Sequence, residues 1–195
     1  MRLFVALDID DVIRGRIARF LDGVRGFAPD ARWVRPESLH VTLKFIGEKP
    51  EEEVENIKRV LETIEAPMFE VNFRGHGFFP GAQAPRVFWV AIEGGPKLTS
   101  LAATVDEHLA QLDIPKEEHV FNPHLTLARG AGSSGAPRGR KREDPKRGFQ
   151  LMQEKLAPLP LPEFGRMTAR EFFLYRSQLS PGGSNYSKLA GFNLR

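Results

Sequence analysis

Short apolar runs alternate with amphipathic segments along the chain. Residues 2–8 form an apolar run that predicts a buried strand, and the side chains that follow it have helical spacing. The same spacing predicts helices that begin at Pro50 and that cover about 97–111 and 145–156. Further strands are predicted at 32–35, 39–46, 68–73, 86–92, 119–128, 160–168, 170–176 and 186–194. Adjacent strands without an intervening helix are typical of antiparallel pairs, so the pattern predicts an α+β fold.

The composition is that of a folded protein. The 195 residues are enough for a single domain over 1–195, with 41% hydrophobic and 27% charged residues. No apolar run approaches the roughly 18 residues of a membrane helix, and the N-terminal segment lacks a signal-peptide pattern. There is no cysteine, which excludes disulfides, thiolate nucleophiles and cysteine-ligated metals. We therefore expect a cytoplasmic protein without a membrane partner, and a monomer.

Basic residues concentrate in one segment. The net charge is only +3, which by itself is too small to indicate a nucleic-acid-binding protein. Residues 130–148, however, combine glycine and serine with six arginines and lysines, which predicts a flexible basic surface loop. The segment is either a solvated linker or a contact for the phosphate backbone of RNA.

Two copies of one short motif carry the candidate chemistry. The sequence H-V-T-L begins at His40, and H-L-T-L begins at His124. On a strand, residues two apart share a face, so His40 lies beside Thr42 and His124 beside Thr126. One such motif is weak evidence, because a single strand histidine is commonly structural. A second copy, in the other half of a chain whose element order partly repeats, favours a functional pair.

The motif residues suit phosphoryl chemistry without a metal. Histidine titrates near neutral pH, so one imidazole can act as a base and the other as an acid. Threonine hydroxyls can donate hydrogen bonds to anionic oxygens. Neither motif contains a carboxylate for magnesium, and no third ligand is evident for a two-histidine zinc site. We therefore expect no metal and no other cofactor.

With these motifs and their flanks, the chain resembles the 2H phosphoesterases, whose signature is a tandem H-x-T-x motif. It is most similar to the branch of RNA 2',3'-cyclic phosphodiesterases, formerly called 2'-5' RNA ligases. The matching segments are RLFVAL, HVTLKFIGE, FFP before PRVFWV, NPHLTLAR and YRSQLSPGGSNYSKLAGFNL. The resemblance implies a bilobal fold in which two pseudo-symmetric lobes of antiparallel sheet, with flanking helices, enclose a central cleft.

The resemblance also implies an activity and roles for residues. The activity is hydrolysis of RNA 2',3'-cyclic phosphate ends to 2'-phosphates, so the partners are RNA ends or nucleotides that carry this group. His40 would be the general acid and His124 the general base, although the near-symmetry of the motifs makes the two easy to exchange. Thr42 and Thr126 would hold the phosphate oxygens.

Two further site residues follow from the resemblance, and strand geometry conflicts with both. Arg129 would stabilise charge and Phe45 would pack against the base. Each lies five residues after a motif histidine, and an odd offset places it on the opposite face of a regular strand. Either the strands bulge or end there, or these residues lie outside the site, with Phe45 in the core. By the same parity, Lys44 is expected to be a surface cation on the His40 face.

Two other functions remain open from the sequence. The reverse chemistry would join RNA ends as a 2'-5' RNA ligase, through the same two proton transfers. The second open function is that of a non-catalytic module that binds RNA ends or nucleotides. Binding alone, however, does not require a paired acid and base.

Overall fold

The computed structural model describes residues 1–81, 83–130, 145–180 and 183–195. Within them lie nine strands, four α-helices and three short 3₁₀ turns. The strands are β1 Arg2–Leu7, β2 Arg32–Trp33, β3 Val41–Glu48, β4 Phe69–Phe79, β5 Val87–Glu93, β6 His124–Arg129, β7 Glu163–Ala169, β8 Glu171–Ser180 and β9 Gly183–Asn193. The helices are α1 Asp11–Val24, α2 Val54–Glu62, α3 Gly95–Ala110 and α4 Pro145–Leu156. No helix in the described part of the chain is long and apolar enough to cross a membrane.

The strands form two antiparallel sheets. One sheet has the order β3-β1-β8-β9, and the other has the order β2-β6-β5-β4-β7. The first motif lies at the start of β3, which is an edge strand, and the second lies on β6. The predicted α+β class is confirmed, because antiparallel strands predominate and the helices pack against them.

The continuous apolar run of β1 reflects burial on both of its faces. Leu3, Val5 and Leu7 join the main core, to which the apolar stripe of α1 also belongs. Phe4 and Ala6 face the other way and pack with Tyr175 of β8. A strand covered on both sides loses the alternation of polar and apolar residues, and β1 shows this property.

Most elements lie near their predicted positions, and the two largest differences are at the end of β4 and the start of β6. β4 continues through Gly75 to Phe79, although the predicted strand ended at residue 73. Gly75 has a φ of +78° and lies in a bulge opposite β5, so the glycine bends this strand rather than ending it. The strand expected over 119–128 begins only at His124, directly after Pro123, which has no amide hydrogen to donate. Of the expected basic loop, 131–144 lie outside the described residues.

Candidate active site

The motif strands β3 and β6 contact each other across a cleft between the two sheets. One part of the cleft has a volume of about 450 Å³, and we name it the cationic recess. Its lining includes Arg2, Arg32, Arg129, His40, Thr42 and Thr126. The adjoining part has a volume of about 530 Å³, and we name it the apolar recess. Its lining includes Phe79, Val120, Phe121 and His124, and it shares Thr42 and Phe45 with the cationic recess.

β3 carries a bulge at the fourth residue of the first motif. Thr42 lies opposite Ala6 of β1, whereas Lys44 lies opposite Val5, so Leu43 is an extra residue in the pairing. Leu43 and Lys44 are both buried although they are consecutive, which a regular strand with one covered face does not allow. The bulge therefore reverses the alternation of faces beyond it.

β6 carries the equivalent bulge in the second motif. Thr126 lies opposite Trp89 of β5 and Ala128 lies opposite Phe88, so Leu127 is the extra residue. Leu127 and Ala128 are also both buried. The two motifs thus share a backbone irregularity at the same position as well as a sequence.

The paired bulges bring the residues at offset five into the cleft. Phe45 and Arg129 both line the cationic recess together with the motif threonines. Phe45 is 54% exposed, so the alternative that placed it in the core is wrong. Lys44 is displaced to the other side and is only 3% exposed, so the expectation of a surface cation is also wrong. Its ammonium group lies 2.6 Å from the carboxylate of Asp106 on α3.

Each motif histidine is held by the same backbone contact. The Nδ1 atom of His40 lies 2.8 Å from the carbonyl oxygen of Ser38, and that of His124 lies 2.8 Å from the carbonyl oxygen of Asn122. A carbonyl oxygen only accepts hydrogen bonds, so Nδ1 must be the donor in both rings. In the neutral imidazoles the unprotonated nitrogen is therefore Nε2, which is available for proton transfer.

Aromatic rings surround His40 more completely than His124. The His40 ring lies 4.8 Å from the ring of Phe4 and 5.1 Å from that of Tyr186. Burial lowers the pKa of His40 to about 4, although the Ser38 carbonyl and the charge of Asp8 oppose the shift. The ring of His124 lies 5.1 Å from that of Phe79, and burial lowers the pKa of His124 as well.

Arg129 influences both imidazoles. Its positive charge lowers the pKa of His40 and of His124, and the charge of His124 further lowers the pKa of His40. The structure therefore brings all three groups into one electrostatic environment. A bound anion would counter this positive potential and raise the pKa of both histidines.

Two cationic residues of the cleft were not among the predicted site residues. Arg2 begins β1, and Arg32 lies directly opposite Arg129 in the pairing of β2 with β6. Burial lowers the pKa of Arg129, and the charges of Arg32 and Arg2 lower it further, against an opposing effect of Tyr186. A signal was present at Arg2, since RLFVAL was one of the matching segments, but the segment predicted only a buried strand.

Asp8 supports the His40 side of the cleft from just beyond β1. Its carboxylate accepts a hydrogen bond from Arg14 at 2.7 Å and another from Lys188 at 2.5 Å. Burial opposes ionisation of Asp8, but the bonds from Lys188, the Ile9 amide and Arg14 hold its pKa below the ordinary value. Asp8 is therefore a fixed negative charge near His40.

The donor atoms of the cleft suit an anion. Among the described residues, no group of three or more histidine, aspartate or glutamate side chains has the geometry to hold a metal ion. The cleft instead combines two imidazoles, two hydroxyls and guanidinium groups. This set can bind a tetrahedral anion and exchange protons with it at two positions.

Comparisons of the sequence with known proteins agree on one family. A family model described as the 2'-5' RNA ligase superfamily matches residues 13–159. The RNA 2',3'-cyclic phosphodiesterase of Archaeoglobus fulgidus is 34% identical over 192 residues, covering 98% of this chain and 99% of that protein. The protein of the same name from Thermus thermophilus is 35% identical over 205 residues, covering 100% of this chain and 91% of that protein.

Solved structures extend the similarity to the whole fold. A crystal structure of a Thermus thermophilus protein has a TM-score of 0.77 at 30% identity and covers 100% of this chain and 98% of its own. The crystal structure of Escherichia coli LigT complexed with 3'-AMP has a TM-score of 0.75 at 26% identity, with 99% and 97% covered. The tandem motifs, the fold and these matches agree, and the chain belongs to the 2'-5' RNA ligase superfamily.

Proposed function

We propose that this protein hydrolyses the 2',3'-cyclic phosphate at RNA ends to a 2'-phosphate, by acid–base catalysis without a metal. The observation that carries the proposal is the pair of imidazoles in one cleft, each fixed through Nδ1 so that Nε2 is available. The relatives named RNA 2',3'-cyclic phosphodiesterase support the same substrate class.

The reaction needs two proton transfers on opposite sides of the phosphorus atom. His124 accepts a proton from water as the water oxygen forms its bond to phosphorus. The bond between phosphorus and the 3' oxygen breaks, and His40 donates a proton to that oxygen. The products are a 2'-phosphate and a 3'-hydroxyl, and the two histidines then exchange protons with solvent to restore the starting state.

The role of His40 as the acid depends on a rise of its pKa when the substrate binds. Burial holds the pKa of His40 at about 4, so its imidazole is neutral at pH 7 until an anion binds beside it. A cyclic phosphate would raise that pKa, and the charge of Asp8 acts in the same direction on His40. The pKa of His124 is lowered by burial and by the charge of Arg129, while the Asn122 carbonyl opposes the shift. His40 can act as the acid if the bound phosphate raises its pKa above that of His124.

The remaining cleft residues hold the reacting group. The hydroxyls of Thr42 and Thr126 would donate to the non-bridging oxygens, and the guanidinium of Arg129 would balance the charge that develops on them. Such donors are effective because they are oriented before the reaction begins. The exposed ring of Phe45 lies where the two recesses meet and offers an apolar surface for the base.

The product made from adenosine 2',3'-cyclic phosphate tests the proposal. We expect adenosine 2'-phosphate, identified by ³¹P NMR, and an unchanged rate in EDTA. The variant His40→Ala/His124→Ala is the inactive control, which excludes a contaminating nuclease. Formation of the 3'-phosphate would contradict the assignment of the leaving oxygen. Loss of activity in EDTA with recovery on adding zinc would contradict the metal-free mechanism.

Ligation is the second candidate, because an RNA 5'-hydroxyl can replace water as the nucleophile with the same two proton transfers. Two adjoining recesses that share Thr42 and Phe45 in their lining would allow two RNA ends to bind side by side. Hydrolysis should dominate because water is the more abundant nucleophile. Incubation of RNA fragments with cyclic phosphate and 5'-hydroxyl ends, followed by analysis for a joined product, distinguishes the two reactions.

A further inference from the structure

The cationic recess holds more positive charge than one cyclic phosphate needs. Arg2, Arg32 and Arg129 all line it, and its lining includes no aspartate or glutamate among the described residues. A cyclic phosphodiester has a single negative charge, and Arg129 lies close enough to both motif histidines to lower their pKa values. Arg2 and Arg32 therefore place two further guanidinium groups in the recess that holds Arg129.

The additional charge lies at the Arg129 end of β6. Arg32 is directly opposite Arg129 in the sheet, and Arg2 lies opposite Ser177 of β8. His124, at the other end of β6, lines the apolar recess instead. Burial lowers the pKa of Arg129, and the positive charges of Arg32 and Arg2 lower it further, an effect that a second bound anion would oppose.

The apolar recess is unsuited to a second phosphate. Lys44 is its buried cation, and the carboxylates of Asp106 and Glu117 already lie 2.6 and 3.6 Å from its ammonium group. The exposed apolar groups there, with Phe45 and Phe79 among its aromatic rings, suit a nucleobase. A polyanionic chain would therefore leave the active site through the cationic recess.

We propose that Arg2 and Arg32 bind the phosphodiester on the 5' side of the terminal nucleotide, so that the enzyme selects RNA chain ends over mononucleoside cyclic phosphates. This inference rests on the proposed function and adds to it the part of the substrate that gives selectivity. Guanidinium groups suit this role because they bind phosphate oxygens in a bidentate geometry.

Three substrates distinguish the effect of a second phosphate on kcat/KM from the effect of a second nucleoside. They are adenosine 2',3'-cyclic phosphate, its 5'-phosphorylated form, and the dinucleotide ApA with a 2',3'-cyclic phosphate end. We expect kcat/KM to be about tenfold higher for the second and third substrates than for the first, the usual order of a charged hydrogen bond. Raising the salt concentration should reduce this advantage, with a slope of about 0.7 per phosphate contact in a plot of log kcat/KM against log salt.

Substitutions then test the two arginines. Arg2→Gln and Arg32→Gln should each reduce the ratio of kcat/KM for the dinucleotide over the mononucleotide severalfold. Arg59→Gln is the matched control, because Arg59 is an exposed arginine of α2 that lines neither recess. Circular dichroism of each variant checks that it folds, and the ratio within one variant cancels any loss of folded protein.

The possible outcomes separate this inference from the proposed function. Equal kcat/KM for all three substrates in the wild-type protein would overturn the inference and leave the hydrolysis standing. A wild-type preference that persists in both arginine variants would overturn the role of Arg2 and Arg32. Absence of turnover with every substrate would instead overturn the proposed function itself.

Discussion

The two motif segments match in backbone and differ in surroundings. Each has a bulge at its fourth residue, and each has a histidine whose Nδ1 donates to the carbonyl oxygen two residues earlier. Around His40 lie Phe4, Tyr186 and the fixed charge of Asp8, whereas His124 packs edge-on against Phe79. The comparison shows how a symmetric backbone can supply equivalent groups while the packing around them distinguishes their protonation.

Removal of either motif histidine should have the largest effect. We expect His40→Ala and His124→Ala each to reduce kcat by about 10² to 10⁴, since each removes one proton transfer. His108→Ala is the matched control, because His108 lies on α3 and lines neither recess. Near-wild-type turnover in one motif variant would show that the two segments are not functionally paired.

Replacement of Arg129 should affect both segments at once. Arg129→Gln should reduce kcat/KM by about 10²-fold, the usual value of one oriented donor to a developing charge. It should also raise the pKa of both motif histidines, because the positive charge of Arg129 lowers them in the native protein. NMR titration of the imidazoles checks this second effect. A rise at only one histidine would place Arg129 beside that histidine alone.

The pH dependence of kcat/KM should show the lowered pKa values of the two buried histidines. The active form of the cleft has one proton on the pair, so kcat/KM should peak between its two macroscopic pKa values. The pKa of His40 is about 4, and that of His124 is lowered from 6.5, so the peak should lie below pH 6.5. Above that pH, kcat/KM should fall about tenfold per unit as the acid loses its proton. A peak at or above pH 7 would contradict this electrostatic description.

A substitution at Gly77 should perturb the His124 side selectively. Gly77 lies opposite Trp89, and a Cβ atom there would come within 2.3 Å of the indole. Trp89 stacks on Phe79, which packs against His124, so Gly77→Ala should displace this array and cost about 1–3 kcal/mol of stability. The NMR signals of His124 should shift more than those of His40.

Gly15→Ala is the matched control for this substitution. Gly15 lies within α1, and a Cβ atom there meets nothing within 4 Å. Alanine at this position should raise the free energy of unfolding slightly, because alanine favours the helix. A comparable loss of stability in both variants, measured by urea denaturation, would contradict the steric explanation.

The smallest effect is expected from the charge near His40. Asp8→Asn keeps a side chain that can accept the hydrogen bond from Arg14 but removes the negative charge. The pKa of His40 should fall further and that of His124 should change little, because Asp8 is among the causes of the shift only at His40. We expect kcat/KM to decrease severalfold, with histidine titration by NMR as the direct measurement.

The sequence predicted the secondary structure well where hydrophobic periodicity was strong. The helix expected over about 97–111 and the helix over 145–156 agree closely with α3 and α4. The prediction of a strand end near Gly75 was wrong, because a glycine with a positive φ can lie in a bulge within a strand as well as at its end. The pairing of the two motifs in one cleft was anticipated from their repetition, while their catalytic roles stay predictions.

By itself, the sequence determined the α+β class, the two motifs and the membership of a family, because these depend on local periodicity and on residue identity. Only the tertiary structure decided the faces of Phe45, Arg129 and Lys44, since a bulge is a property of two paired strands. It also decided the convergence of Arg2 and Arg32 and the lowered pKa of His40. Burial and electrostatic interaction depend on residues that are distant along the chain, and a linear pattern contains no measure of that distance.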